Sequence, residues 1–409
     1  MSMNNSVIKG GTHSMDTVRV GVVGAGFMGT THIQTLRRLS GVEVVALADA
    51  SRDQAEKAAA RLSVPQVYDD YEQLIYRSDV DVIHNCTPNH MHYAVSKLAL
   101  ENGKHVFSEK PLAADVKQGE ELLQIAEDKQ LLHGVNFVYR YYPIIGHAKK
   151  LIASGEIGAV RLLRGGYFQD WLAKETDFNW RVKSELGGPA RALADIGSHF
   201  SDLIQYVMGD RIVSVFADLH TVIPIRKRSA CLGLTFSHES TTDDGFLYEE
   251  VDTEDYAAVL LRTENGARGV FIVSQVSFGH KNLISLEVSG DKGSLAWNSQ
   301  QHERLWIGRR DKPNQEILKD PAYIDPGLDH GFVHMPGGHC EGWLDNFTNL
   351  LFDFYRHLTG TNEMSEGVEY PTFRDGLREM YIVEAMLSSH KQQKWMSVRS
   401  EDLVLGPER

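Results

Sequence analysis

The residues able to do chemistry fall into three clusters. In Leu193-Ala-Asp195-Ile-Gly-Ser-His199-Phe-Ser-Asp202-Leu-Ile-Gln-Tyr206, the side chains of Asp195, His199, Asp202 and Tyr206 recur at helical spacing and share one face. A histidine one turn from an aspartate is a competent general base near neutral pH. The same spacing also suits a solvated polar face with an i,i+4 ion pair, with Leu193, Ile196, Phe200, Leu203, Ile204 and Val207 buried behind it. Residue types alone leave both readings open. Glu109-Lys-Pro-Leu112 and Thr87-Pro-Asn-His-Met-His92 each follow a strand-like run. Ligands of open α/β sheets collect at the carboxyl ends of strands, so Lys110 is placed to donate a hydrogen bond to a substrate oxygen. Its bland alternative is a loop lysine in water. His90 and His92 have no Asp, Glu or Cys close by, which argues against a metal site.

The third cluster is Gly24-Ala-Gly26-Phe-Met-Gly29, directly after the β-branched run Val18–Val23 and before the amphipathic stretch Thr31–Leu39. In that context Gly24 permits a tight turn, Gly26 lets backbone approach a pyrophosphate, and Gly29 allows close helix–strand packing. The helix start at Phe27, Met28 and Gly29 offers free N–H groups and a positive dipole end to phosphates. Asp49 ends the second strand, 20 residues after Gly29, where an acid binds ribose hydroxyls. The combination predicts dinucleotide binding. A carboxylate at position 49 repels a 2′-phosphate and favours NAD, while Ser51 and Arg52 beside it keep NADP open.

These clusters need elements to hold them. Strand and helix alternate from Val18 to Val138, which implies a doubly wound parallel sheet. After about Tyr142 strands dominate: Val160–Gln169, Val213–Val222, Tyr256–Thr263, Ala267–Phe278, Leu283–Ser289 and Gly293–Asn298, with turns at Glu264-Asn-Gly266 and Gly290-Asp-Lys-Gly293. A helix near Arg191–Met208 and two near Gly342–Leu358 and Thr372–Ser389 complete an α+β domain on a large, mostly antiparallel sheet. The expected division is a disordered leader at 1–16, a nucleotide-binding Rossmann domain at 17–142 and a substrate-binding and oligomerisation domain at 143–409. Arg226–Glu254 is polar and aperiodic, and is read as a long excursion or lid. A sheet without helices for both faces suggests a homo-oligomer, dimer or tetramer.

The 409 residues carry a net charge of −13, spread along the chain, which gives no electrostatic case for nucleic acid or an anionic membrane. Cys86, Cys231 and Cys340 are too scattered for a disulfide framework and suit a reducing cytoplasm.

Val20-Gly-Val-Val-Gly-Ala-Gly-Phe-Met-Gly29, Thr87-Pro-Asn-His-Met-His92, Gly103-Lys-His-Val-Phe-Ser-Glu-Lys-Pro-Leu112 and Gly187-Gly followed by Asp195-Ile-Gly-Ser-His199 occur in this order. Together they resemble the Gfo/Idh/MocA oxidoreductases. The resemblance implies that Lys110, Asp195 and His199 are catalytic, with His199 taking a hydroxyl proton as hydride passes to nicotinamide. It implies cofactor contacts from Thr87, Asn89, His92, Glu109 and Lys110, and from Arg140 after the last strand. Sugars and inositols are the implied substrates, met by Lys110, Asp195 and His199 and by polar and aromatic groups such as Trp171, Arg181 and His339. Tyr167–Trp171, Asn179–Arg181 and His334–His339 are similar to a subgroup that includes levoglucosan and glycoside 3-dehydrogenases. The family also contains members that keep NAD(P) bound for glycosidase-type or internally recycled reactions, and a non-catalytic nucleotide-binding protein is the third reading.

Overall fold

The computed structural model describes residues 17–228, 247–324, 332–360 and 370–400, so the expected leader, Cys231 and the middle of the 226–254 excursion lie outside the described residues. Six strands, β1 (Val18–Val23), β2 (Val42–Ala48), β3 (Gln66–Tyr68), β4 (Val82–Asn85), β5 (His105–Ser108) and β6 (His133–Val135), form one parallel sheet. Their order is β3-β2-β1-β4-β5-β6, the doubly wound arrangement expected. Around it lie α1 (Phe27–Leu36), α2 (Arg52–Arg61), α3 (Tyr71–Ile75), α4 (Asn89–Glu101) and α5 (Val116–Asp128). Strand order reverses between β1 and β4, which opens a crevice at their carboxyl ends. Strand β3 falls where the sequence reads only a turn at Pro65, because three residues are too few to display a period.

The chain then passes through α6 (Pro143–Ala153) into a second sheet. Its strands are β7 (Val160–Phe168), β8 (Ile212–His220), β11 (Tyr256–Thr263), β12 (Arg268–Ser274), β13 (Leu283–Gly290), β14 (Ser294–Asn298), β15 (Arg304–Gly308), β16 (Gln315–Leu318) and β17 (Met396–Ser397). They run in the order β16-β15-β14-β13-β7-β12-β11-β8-β17, antiparallel except for the β7–β12 pair. A separate ribbon joins β9 (Ile225–Arg228) to β10 (Leu247–Glu250). The roots of the 226–254 excursion are tied down, with Arg226, Thr253 and Glu254 buried. Arg226 donates to Asp255 at 2.9 Å with neither side chain exposed, and Glu254 is likewise buried. A buried ion pair at the base of an excursion is an anchor, since opening it would strand a charge.

The short helix α7 (Ser184–Gly187) packs on α4, and one face of the second sheet is covered by the turn at Leu193–Gly197, by α8 (Ser198–Met208) and by the last helix. The other carries a single rung of facing residues: Phe216, Leu260, Val270, Arg164, Glu287, Ala296, Trp306 and Glu316. Leu260, Val270 and Trp306 on this rung are exposed. Helices α9 (Trp343–Leu358) and α10 (Phe373–Gln392) return to the first sheet, α9 against α1 and α10 against α5. Phe354 on α9 packs edge-on to Phe107 of β5 and to Tyr370, each at 5.3 Å between ring centres. Gly134 on β6 leaves room for these rings, since a Cβ there would lie 2.7 Å from Phe107. Phe354 is fully buried, so Phe354→Ala should destabilise the fold by about 3–5 kcal/mol. Urea unfolding checks this, and an unchanged midpoint would show that the junction contributes little.

Candidate active site

Lys110 leaves the carboxyl end of β5 and crosses to the turn that starts α8. Its Nζ donates to Asp195 Oδ1 at 2.7 Å and to the Asp195 carbonyl at 2.8 Å. The Arg181 guanidinium lies 3.7 Å from the same Oδ1, and Gln275 Nε2 donates to Oδ2 at 2.7 Å. Asp195 sits in a π-turn, Leu193–Gly197, directly ahead of α8. Such wide turns re-aim side chains and recur at functional sites. The Glu254 carboxylate fixes this one by accepting from the backbone N–H groups of Arg191, at 2.9 Å, and Leu193, at 2.8 Å. Burial would raise the Asp195 pKa, but Lys110 and then Arg181 hold it well below the usual carboxylate range.

His199 follows one turn later and is only 8% exposed. Its ring meets Tyr139 edge-on at 5.1 Å and Phe137 at 5.8 Å. Burial, then the Lys110 charge, lower its pKa to about 3, against opposing pulls from Asp195 and Glu109. The imidazole is therefore neutral at physiological pH. Its Nδ1 is buried and has no hydrogen-bond partner among the described residues. Beyond it, Tyr139 Oη is 2.7 Å from Tyr167 Oη and accepts from Asn282 Nδ2 at 3.0 Å. Gln169 Nε2 donates to Asn282 Oδ1 at 2.9 Å, and Trp171 Nε1 donates to Gln169 Oε1 at 2.8 Å. This network of phenols and amides joins Trp171 to the histidine.

The expected helical face divides by depth. Asp195 and His199 lie beside Lys110, whereas Asp202 is 1% exposed and bound to Arg140, with Nε 2.9 Å from Oδ2. The solvated-face reading is thereby overturned: α8 is packed on all sides. Arg140, expected at the cofactor, gives its donors to Asp202 and to Asp375 Oδ1, at 2.8 Å, and so ties the last turn of the first sheet to α8 and α10.

At the crevice, the glycines behave as their spacing predicts. Gly24 has φ +103° and lies so close to β4 that a Cβ would sit 2.4 Å from the Cys86 carbonyl oxygen. A Cβ at Gly29 would lie 1.7 Å from the Gly24 carbonyl, while Gly26 faces open space. No side chain among the described residues caps the start of α1 at Gly26, so the first turn, at Met28 and Gly29, presents backbone N–H groups and the positive dipole end to a ligand. These features fit a pyrophosphate. Asp49 closes the turn by accepting from Ala25 N–H at 2.7 Å and Ser51 N–H at 2.9 Å. Arg52 is turned to Glu56 at 2.8 Å and Asp69 at 3.7 Å, an arrangement that favours a free 2′-hydroxyl over a 2′-phosphate.

The remaining expected contacts are mixed. Thr87 Oγ1 donates to Asn85 Oδ1 at 2.7 Å, and Asn89 Nδ2 donates to the Gly187 carbonyl at 3.0 Å, across the crevice. His92 is buried with its ring nitrogens 2.6 Å from the Pro111 carbonyl and 2.8 Å from that of Thr87. It acts as a brace between the two loops. Glu109 Oε1 accepts from His32 Nε2 at 2.9 Å and Asn136 Nδ2 at 2.6 Å. His339 is exposed, its carbonyl accepts from Lys319 Nζ at 2.9 Å, and no hydrogen bond among the described residues joins its ring to Asp195 or His199. No group of three or more His, Cys, Asp or Glu among the described residues could hold a metal ion. Gln275, Tyr139 and Asn282 are the site residues that sequence reading misses. Gln275 carries a faint signal, an amide just after an apolar strand.

A doubly wound sheet with a pyrophosphate turn facing a buried lysine–aspartate–histidine group defines an NAD-binding oxidoreductase. The model of the oxidoreductase family with NAD-binding Rossmann fold matches residues 18–137, and the Gfo/Idh/MocA C-terminal domain matches 145–296. The chain belongs to the Gfo/Idh/MocA family. It is 28% identical to levoglucosan dehydrogenase of Pseudarthrobacter phenanthrenivorans over 94% of this chain and 99% of that one. An oxidoreductase domain protein from Kribbella flavida is 30% identical in structure-based comparison, with TM-score 0.83 over 94% of this chain and all of that one. A levoglucosan dehydrogenase complex with NADH and L-sorbose gives 27% identity and TM-score 0.83 over the same shares, 94% and 100%.

Lys110 is the second-largest influence holding His199 neutral, after burial itself. In Lys110→Met, the His199 ring should titrate at a higher pH than in the wild type, followed by NMR of its carbon-bound ring protons. An unchanged or lowered value would mean that Lys110 does not act on the imidazole.

Proposed function

We propose that this chain is an NAD-dependent dehydrogenase that oxidises a secondary hydroxyl of a sugar, anhydrosugar, glycoside or inositol. The observation that carries the reading is the Lys110–Asp195 pair beside a buried, neutral His199 whose Nδ1 has no partner among the described residues. NAD, when bound, supplies the hydride acceptor. His199 takes the hydroxyl proton as the C–H bond breaks. Lys110 donates a hydrogen bond to the same oxygen and stabilises its developing negative charge, an arrangement that works because it is built before substrate arrives. Asp195 keeps Lys110 aimed, and Gln275 keeps Asp195 aimed.

The substrate class is supported by the donors and acceptors around this centre. Arg181 and the Trp171–Gln169–Asn282 chain offer the amide, cationic and aromatic groups that a polyhydroxylated ring requires. The relatives named for levoglucosan point the same way. In this reading residues 17–142 hold the cofactor, with Gly24, Gly26, Gly29, Asp49, Thr87, Asn89 and Glu109 lining its cleft, and 143–409 hold the substrate. The free thiols of Cys86 and Cys340 support a cytoplasmic location. NADH formation from NAD should appear with at least one member of a panel of free sugars, anhydrosugars, glycosides and inositols. With that substrate, Lys110→Ala and His199→Ala should each lose at least about 100-fold in kcat while NAD affinity changes little. Wild-type turnover in either variant would remove its assigned role, and tight NAD binding with no alcohol oxidised would remove the dehydrogenase reading.

The exposed rung across the second sheet supports a homo-oligomer joined through this face. Val270→Asp combined with Trp306→Asp should halve the mass seen by analytical ultracentrifugation, or reduce it further. A monomeric wild type would contradict the assembly.

A further inference from the structure

Behind the site runs a line of polar groups that the chemistry above does not use. His84 on β4 places Nε2 2.8 Å from Tyr355 Oη of α9. Its Nδ1 lies 2.7 Å from Nδ1 of His32 on α1, and His32 Nε2 lies 2.9 Å from Glu109 Oε1. The two imidazoles are fully buried, and Phe107 and Phe347 pack against them. Polar groups in such a place persist only when every one is satisfied. The geometry allows a self-consistent assignment. The Glu109 carboxylate only accepts, so His32 carries its proton on Nε2. In this assignment His32 carries that one proton, its Nδ1 accepts, and His84 donates from its own Nδ1. His84 Nε2 in turn accepts the Tyr355 hydroxyl proton. Each donor meets one acceptor, and the only charge on the chain is at its Glu109 end, one residue from Lys110.

We propose that Tyr355, His84 and His32 form a directed hydrogen-bond chain that positions Glu109 as a carboxylate at the edge of the catalytic centre, with His32 as its essential positioning residue. The proposal rests on the dehydrogenase reading for its kinetic consequence, though not for its structure. Glu109 is faced by Lys110 and Asn136 from its own sheet, by His32 from α1, by Cys86 after β4, by His92 from α4 and by His199 from α8. Burial would raise its pKa, but the hydrogen bonds from His32 and Asn136 and the charge of Lys110 pull it down. The sign follows. A Glu109 kept ionised opposes the Lys110 charge at His199 and makes that ring a stronger base. Without the His32 donor, Glu109 takes a proton at higher pH, and His199 weakens as it does.

Two measurements on the full-length protein test the chain. In 15N-histidine NMR at neutral pH, His32 should carry hydrogen on Nε2 alone and His84 on Nδ1 alone, with His84 not titrating between pH 6 and 8. A His32 protonated on both nitrogens, or the opposite tautomers, would overturn the directed chain whether or not the protein oxidises any alcohol. In kinetics, His32→Leu should move the acid limb of kcat/KM upward by about one pH unit and lower kcat about tenfold, with little change in KM for NAD. His32→Gln, whose amide can still donate to Glu109, should restore most of both. If His32→Leu lowers thermal stability yet leaves the pH profile of the folded enzyme unchanged, the residue is structural only and the proposal fails.

Discussion

Everything at the site depends on one contact between the two sheets, the ion pair of Lys110 with Asp195. The side chains are 12% and 17% exposed, so each charge has lost most of its water. Desolvation of this kind costs several kcal/mol per ion unless geometry and further hydrogen bonds restore it. Lys110 comes from the end of a parallel strand, and Asp195 from a turn carried by the second sheet. Neither can satisfy itself locally, so the two halves of the molecule dock in the one arrangement that lets them meet. The supporting contacts follow from that demand. Gln275 takes the second carboxylate oxygen, Arg181 adds a nearby positive charge, and Glu254 locks the turn that presents Asp195. His199 then inherits its electrostatics from this pair, because it is held next to a fixed cation in a nearly dry pocket.

The far end of α8 uses the same physics for a different end. Arg140 bridges Asp202 and Asp375, and Glu379 accepts from Gln205 at 2.8 Å. Burial raises the Asp202 pKa to about 6 and the Glu379 pKa well above the usual range, with Arg140 opposing both. Three acids facing two arginines, Arg140 and Arg378, keep a proton among themselves near neutrality. Asp375 also accepts from the Thr372 backbone N–H at 2.8 Å and so starts α10. The helix with His199 at its head is thus clamped at its tail to the helix that packs on the first sheet.

Much of this was legible in the chain. The glycine turn, Asp49, Lys110, Asp195 and His199 sit in short contiguous strings whose spacing has a direct physical meaning, and the alternation of strand and helix dictates the first sheet. Periodicity also placed Asp202 and Tyr206 beside His199. It could not tell how deep that face lies, because an angular position on a helix says nothing about what packs there. Gln275, Tyr139 and Asn282 escaped notice for a related reason. Each belongs to a different element, and only the fold brings them to one place. His32 and His84 stand on different elements with no spacing to link them, although they face each other in the core. The excursion from Arg226 to Glu254 looked uniformly polar, yet its ends carry the buried charges that anchor it.

The central claim is that Lys110 and His199 form one device, the lysine setting the electrostatics in which the histidine works. A double-mutant cycle on kcat/KM with an identified substrate tests this most directly. Residues acting as a unit lose nearly the whole effect at the first substitution, so Lys110→Met/His199→Ala should be little slower than the worse single variant. Losses that simply multiply would show two independent contributions and contradict the account.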